Sequence, residues 1–245
     1  MKKFIVLGLL ISFLVGCKEN NPAQEIVDKA ITAHGGKSFE QSTIEFDFRE
    51  RSYSIFKSPE AFEYSREFTD STGLIKDVLN NAGFTRTVNG VEVSLEEKQI
   101  AAFTNSVNSV AYFAFLPYGL NDAAAIKTSL GQVTMEGKPY ELVKVTFVEE
   151  GGGEDFEDEF LYWFDADTFK LAYLAYSFHT NEGGVRFRKA IREHAVNGLI
   201  LLDYENYKPK IKDTPLEDLA ALFEAGELEL LSEIEMEDVR VKSKQ

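Results

Sequence analysis

The sequence predicts an α+β fold built on a single curved, mostly antiparallel sheet of about ten or eleven strands, with an N-terminal helix, a long central helix and a short C-terminal helix. Three observations carry the prediction. Stretches of alternating apolar and polar residues recur along the chain. They follow one another across short turns, without the strand–helix alternation of a (β/α)8 barrel. Only three stretches beyond the N-terminal apolar run have helical spacing. The 20 Phe and 10 Tyr fit this picture, because strands favour aromatic side chains. No long Pro/Ser linker and no internal repeat divides the chain, so residues 22–245 read as one domain.

The first helix opens at Asn21-Pro22, with Asn as N-cap and Pro in the first turn. Ile26, Val27, Ala30 and Ile31 share one face, and Gly35-Gly36 ends it. His34 falls in the last turn, where an imidazolium would favour the negative end of the helix dipole. Ile44, Phe46 and Phe48 then alternate with Glu45, Asp47 and Arg49. The apolar parity switches to Tyr53 and Ile55, which predicts a bulge near Glu50 to Ser52. Phe62, Tyr64 and Phe68 continue the alternation, with Arg66 on their face. Further strands are predicted at 74–79, 84–88 and 91–95, and Asn89-Gly90 is a strong hairpin signal because both residues tolerate positive φ.

Ser94-Leu95-Glu96-Glu97 matches a capping box, and the helix it predicts runs to about Phe115. Ile100, Phe103, Val107, Val110 and Ala111 form its apolar face. Tyr112, Phe113 and Phe115 make its end apolar nearly all round, which predicts burial on more than one side. Strands follow at 131–136, 140–149, 160–164 and 169–179. Residues 160–164 are apolar or aromatic on both faces, as expected of a strand covered on both sides or lining a cavity. Two more strands read at 185–193 and 199–207, a short amphipathic helix at 216–225, and a final strand within 228–241.

The N-terminus predicts a location. Lys2-Lys3 precedes an apolar run from Phe4 to Val15, too short for a membrane-spanning helix of roughly 20 residues. Leu14-Val15-Gly16-Cys17 resembles the bacterial lipobox, in which the cysteine sulfur receives diacylglycerol and the chain is cut just before it. The resemblance implies a signal peptide over 1–16, a lipidated Cys17, and a short tether over 17–21. It implies a palmitate-type anchor in the cell envelope, favouring the outer membrane, with the domain in the periplasm or at the cell surface. Two or more acyl chains anchor stably where one does not. Cys17 is the only cysteine, so no disulfide is expected once it is modified. The remaining 229 residues carry 24 Lys and Arg against 41 Asp and Glu. That acidity excludes nucleic acid as a partner and leaves the acyl chains as the membrane contact.

Three stretches together resemble a lipoprotein family of the Bacteroidota of unestablished function: Phe46-Asp47-Phe48-Arg49; Ser106 to Phe113 running into Leu116-Pro117; and Thr146-Phe147 through Gly151 to Asp158, Tyr162-Trp163, Tyr173 to Ser177 and Arg186-Phe187-Arg188. The strand layout is similar to the LolA/LolB lipoprotein-carrier superfamily, which implies an unclosed barrel around an apolar cavity with helices at its mouth. Some members of the lipoprotein family bear the name deoxyribose-phosphate aldolase. Such an enzyme needs a lysine of depressed pKa in a (β/α)8 barrel, and the strand-borne Lys144 and Lys170 come without the barrel pattern.

The residues point to a non-enzymatic binding protein for a lipid or other amphipathic ligand. The alternative is a solid-cored interaction module of an envelope complex. No cofactor is implied. His34, His179 and His194 have no zinc spacing, and the acids of 151–159 do not match an EF-hand. No catalytic triad motif or nucleotide loop is present. Candidate cavity-lining residues are Tyr112, Phe115, Tyr162, Trp163, Phe164, Tyr173 and Tyr176, because aromatics with polar tips suit an apolar hollow with a wet mouth. Candidate headgroup contacts are Arg49, Arg66, Arg186 and Arg188, because guanidinium pairs bidentately with carboxylate or phosphate.

Overall fold

The computed structural model describes residues 21–148, 157–179 and 183–243. Cys17 and the acidic stretch 151–156 lie outside them. Helix α1 (Pro22–Ala33) is capped by Asn21, whose side chain accepts from the backbone N–H of Ala23 and Gln24. A 3-10 turn (Gly36–Gln41) leads to β1 (Ser42–Phe48), β2 (Arg51–Lys57), β3 (Phe62–Asp70), β4 (Gly73–Asn80), β5 (Gly83–Val88) and β6 (Val91–Glu92). The long helix α2 (Glu97–Ala114) ends this half. The second half holds β7 (Ala125–Met135), β8 (Lys138–Phe147), β9 (Phe160–Asp165), β10 (Leu171–Phe178), β11 (Gly184–Val196) and β12 (Leu199–Pro209). It closes with α3 (Leu219–Glu224), β13 (Leu228–Ile234) and β14 (Glu237–Ser243).

The described strands form two sheets of seven, not one of ten or eleven. The orders are β14-β1-β2-β3-β4-β5-β6 and β13-β12-β11-β10-β9-β8-β7. The split falls where the sequence predicts one last strand. Residues 235–236 carry the chain from one sheet to the other, so that β13 pairs with β12 and β14 returns to β1. The backbone N–H of Met236, at this crossing, donates to the buried Asp203 carboxylate at 2.8 Å. His194 lies 2.9 Å from the other carboxylate oxygen.

The parity switch after Phe48 is a tight hairpin rather than a bulge. Arg49 and Glu50 both have positive φ, and Phe48 pairs directly with Arg51. Folding the chain back puts Phe46 opposite Tyr53 on one face, which a straight strand could do only with an extra residue. The hairpin expected at Asn89-Gly90 is present, with Val88 opposite Val91. The capping box of α2 sits two residues later than expected: Glu96 is the N-cap, and its N–H donates to the Gln99 side chain at 3.0 Å. His34 is buried, and burial pulls its imidazole pKa down. It is a neutral ring bonding the Ala30 carbonyl at 2.9 Å, not a cation at a helix end. The adjoining Gly35 has φ +127°, and a Cβ there would meet the Gly198 carbonyl at 2.6 Å. That close approach seats the end of α1 on the β11–β12 hairpin, where the Ile200 N–H donates to the His34 carbonyl.

Apolar burial divides into three layers. Ile44, Phe46, Tyr53, Ile55 and Tyr64 of the first sheet pack against Phe39 and one face of α2. Val143, Val145, Phe160, Tyr162, Phe164 and Leu174 of the second pack against α1 and the other side of the end of α2. The reverse face of the second sheet carries Leu161, Trp163, Tyr173 and Phe187, covered by Leu216 just before α3 and by Leu219 and Phe223 of α3. The second sheet is thus buried on both faces, which is why β9 reads as a continuous apolar run. The outward face of β1 to β3 carries Glu45, Ser54, Glu63 and Glu67, none of them buried.

Candidate functional site

Helix α2 lies between the inner faces of the two sheets, and its last turns are buried on both sides. Val107, Ala111 and Ala114 face the first sheet, while Tyr112 and Phe113 pack toward the second. The Tyr112 hydroxyl is 2.5 Å from that of Tyr162 on β9. Burial pushes both phenols well above their ordinary pKa, so the pair stays neutral.

Two cavities flank this helix. The smaller, about 450 Å³, is chiefly apolar, with Phe46, Val110, Ala114, Leu202, Ile234 and Met236 in its wall. The larger, about 700 Å³, has a more polar wall that includes Lys57, Asn108, Asp122, Asp158 and Arg186. Both fall in the size range of sites for small ligands. Ser109 and Phe113 of α2 and Arg188 of β11 line both, so a thin partition of one ring and one guanidinium separates them.

Arg188 is 5% exposed. Its guanidinium carbon lies 3.5 Å from the centre of the Phe113 ring, and Nη2 donates to the Tyr176 hydroxyl at 2.9 Å. Nε and Nη1 have no hydrogen-bond partner. Burial pulls its pKa below the ordinary arginine value, and the groups that oppose this are the tyrosines 176, 204 and 162 rather than a carboxylate. Beside it on β12, the Tyr204 hydroxyl and the Asn206 carbonyl oxygen are also buried without partners. Arg188 and Asn206 are direct cross-strand neighbours, and both Tyr204 and Asn206 line the smaller cavity. Four buried, unpartnered polar atoms therefore belong to three residues that line the same chiefly apolar cavity.

The candidates read from sequence separate into groups. Tyr112, Phe115 and Tyr176 line the larger cavity. Tyr162 and Phe164 are packed into the core on the same inner face. Trp163 and Tyr173 lie on the opposite face beneath α3 and line neither cavity, because neighbours along a strand point to opposite sides. Arg186 lines the larger cavity and stacks on Phe178. Arg49 is exposed in the β1–β2 turn beside the smaller cavity. Arg66 lines neither; its guanidinium grips Asp77 at 2.6 and 3.0 Å and donates to Ser106 of α2. Tyr204 and Asn206 were missed, because their strand reads as ordinary core. Lys144 and Lys170 form ion pairs with Glu159 and Glu193, unlike a nucleophilic lysine. Among the described residues no cluster of His, Cys, Asp and Glu could hold a metal ion. No described helix is long and apolar enough to cross a membrane.

This arrangement of two antiparallel sheets about a helix is similar in fold to a solved LolA superfamily protein. The LolA superfamily protein of Nitrosomonas europaea superposes with a TM-score of 0.51 at 11% identity, over 91% of this chain and 94% of that one. A DUF1329 family protein from Desulfovibrio piger (TM-score 0.40, 9% identity, 90% and 93% covered) is also similar, as is a candidate outer membrane lipoprotein-sorting domain from Vibrio parahaemolyticus (0.37, 8%, 90% and 92%). The chain itself belongs to the family of unknown function DUF6503, whose model matches residues 2–236. No curated protein matches it in sequence.

Proposed function

We propose that this protein is a membrane-anchored envelope lipoprotein that holds a lipid or other amphipathic ligand between its two sheets, without catalysing a reaction. The observation that carries the reading is the pair of cavities beside α2, one chiefly apolar and one partly polar, meeting at Arg188. An amphiphile needs that combination: an apolar volume for its tail and a polar neighbour for its head. A solid-cored interaction module would have filled these volumes with side chains. The acyl chains on Cys17 would place the domain at a membrane, where such ligands are found.

Purification from envelopes in mild detergent followed by mass spectrometry of the extract tests the ligand. Co-purification of an amphiphile is expected, and its loss on Val110→Trp, which fills the smaller cavity, is the specific signature. An empty extract, or one unchanged by that substitution, counts against the reading. Cys17→Ser tests the anchor. Each buried methylene contributes about 0.8 kcal/mol, so losing two chains should release the protein wholly rather than partly, or stall it with its signal uncleaved. Unchanged palmitate labelling and membrane fractionation would overturn the lipoprotein reading.

A further inference from the structure

We propose that the ligand carries a compact oxyanion, a carboxylate or a phosphate, which Arg188 binds where the two cavities meet, with Tyr204 and Asn206 beside it. The inference rests on the binding reading above and specifies its ligand class.

The argument begins with an absence of charge balance. A buried cation is costly unless an anion and further hydrogen bonds compensate it. Arg66 obeys that rule, with Asp77 against it. Arg188 is equally buried, yet its one hydrogen-bonded side-chain partner is a neutral phenol and two of its nitrogens have none. The guanidinium is held in place by stacking on Phe113 and by Tyr176, so it is preorganised rather than mobile. An oxyanion is the group that two free guanidinium nitrogens complement best, in a charge-assisted and potentially bidentate bond. The Tyr204 hydroxyl adds a neutral donor on the same side; the unpartnered Asn206 carbonyl oxygen is an acceptor and adds nothing to an anion, its amide N–H already donating to Ser232 at 3.2 Å.

The surroundings give the ligand a direction. The smaller cavity beyond Arg188 has a chiefly apolar wall, with Phe46, Val110, Leu202, Ile234 and Met236 on the side that suits an acyl chain. The larger cavity carries charges of both signs, Lys57 and Arg186 with Asp122 and Asp158, and Lys57 is paired with Asp122, so Arg186 is the cation of that wall nearest in kind to Arg188. A ligand seated this way has its tail beside Val110 and Ile234 and its head against the Phe113–Arg188 partition.

Trp163, the only tryptophan, supplies the readout, since it lies on the reverse face of β9, two strands from β11. The full chain purified from envelopes is reconstituted in phosphatidylcholine vesicles and titrated with parinaric acid, and separately with parinaryl alcohol. Energy transfer from Trp163 reports the bound probe. The acid should bind at least about tenfold more tightly than the alcohol, the effect of a charged hydrogen bond. Arg188→Met, similar in length and uncharged, should erase that preference, the acid then binding no more tightly than the alcohol; Arg188→Lys should restore part of it. Displacement by palmitate points to a carboxylate, and displacement by lysophosphatidic acid alone points to a phosphate headgroup. Equal binding of acid and alcohol by the unmodified chain, or a preference that survives Arg188→Met, overturns the oxyanion while leaving the lipid cavity standing. Binding of neither probe overturns both.

Discussion

Each of the two sheets presents one buried arginine to the central helix, and the two are held in opposite ways. On the first sheet, Arg66 and Arg86 clasp the fully buried Asp77 from neighbouring strands at 2.6 to 3.0 Å, Arg66 also donates to Ser106, and Arg86 stacks on Phe103 of the same helix. On the second sheet, Arg188 stacks on Phe113 but faces no carboxylate. The first arrangement is complete in itself and fastens the helix to the sheet. The second is complete only when something else supplies the anion. A buried guanidinium is therefore not by itself a sign of function; its unfilled hydrogen bonds are.

Asp77→Asn should produce the largest effect. It leaves the buried Arg66 and the half-buried Arg86 without their shared anion, a loss of about 3–5 kcal/mol. Denaturant unfolding measures it, and a change below about 1 kcal/mol would remove Asp77 from its place as the structural half of the contrast. Arg188→Met should act in the opposite direction. In ligand-free protein it removes an uncompensated buried cation and should raise stability by about 1–3 kcal/mol. A drop of the same size as that of Arg66→Met would show the two arginines to be alike and end the comparison.

A smaller effect concerns pH. His34, at the junction of α1 with the second sheet, has a folded pKa below its ordinary 6.5 because of burial. The unfolded chain therefore takes up the proton first as pH falls. The stability contributed by the neutral ring is full above pH 6.5, declines as pH drops toward the folded value, and then levels off. His34→Gln should flatten that part of the stability profile relative to the unmodified chain, without moving ligand affinity at neutral pH. A slope unchanged by the substitution would show that another group sets it.

Much of the first sheet was legible residue by residue. Alternation located β3 to β5 and the apolar positions of β1 and β2, which it joined through a bulge; Asn89-Gly90 located a hairpin, and Asn21-Pro22 located the start of α1, because these depend on backbone preferences of near neighbours. The apolar end of α2 announced burial on two sides, and the two-faced β9 announced a covered sheet. The chemistry of the site was only half visible. Arg66 and Arg188 look equivalent in sequence, each an arginine within an aromatic strand. What distinguishes them is a cross-strand neighbour: Asp77 stands opposite Arg66, whereas Asn206 stands opposite Arg188.

The sequence by itself determined the antiparallel α+β class, the Asn89-Gly90 turn, the helix positions and the stock of aromatic side chains, since each rests on local periodicity and backbone conformation. Tertiary structure alone decided that the strands divide into two sheets, that Trp163 and Tyr173 face away from the cavities, and that Arg188 lacks an anion. Those outcomes depend on register and on contacts between residues far apart in the chain. Pairing β14 with β1 joins positions roughly 200 residues apart, and no local pattern records such a choice.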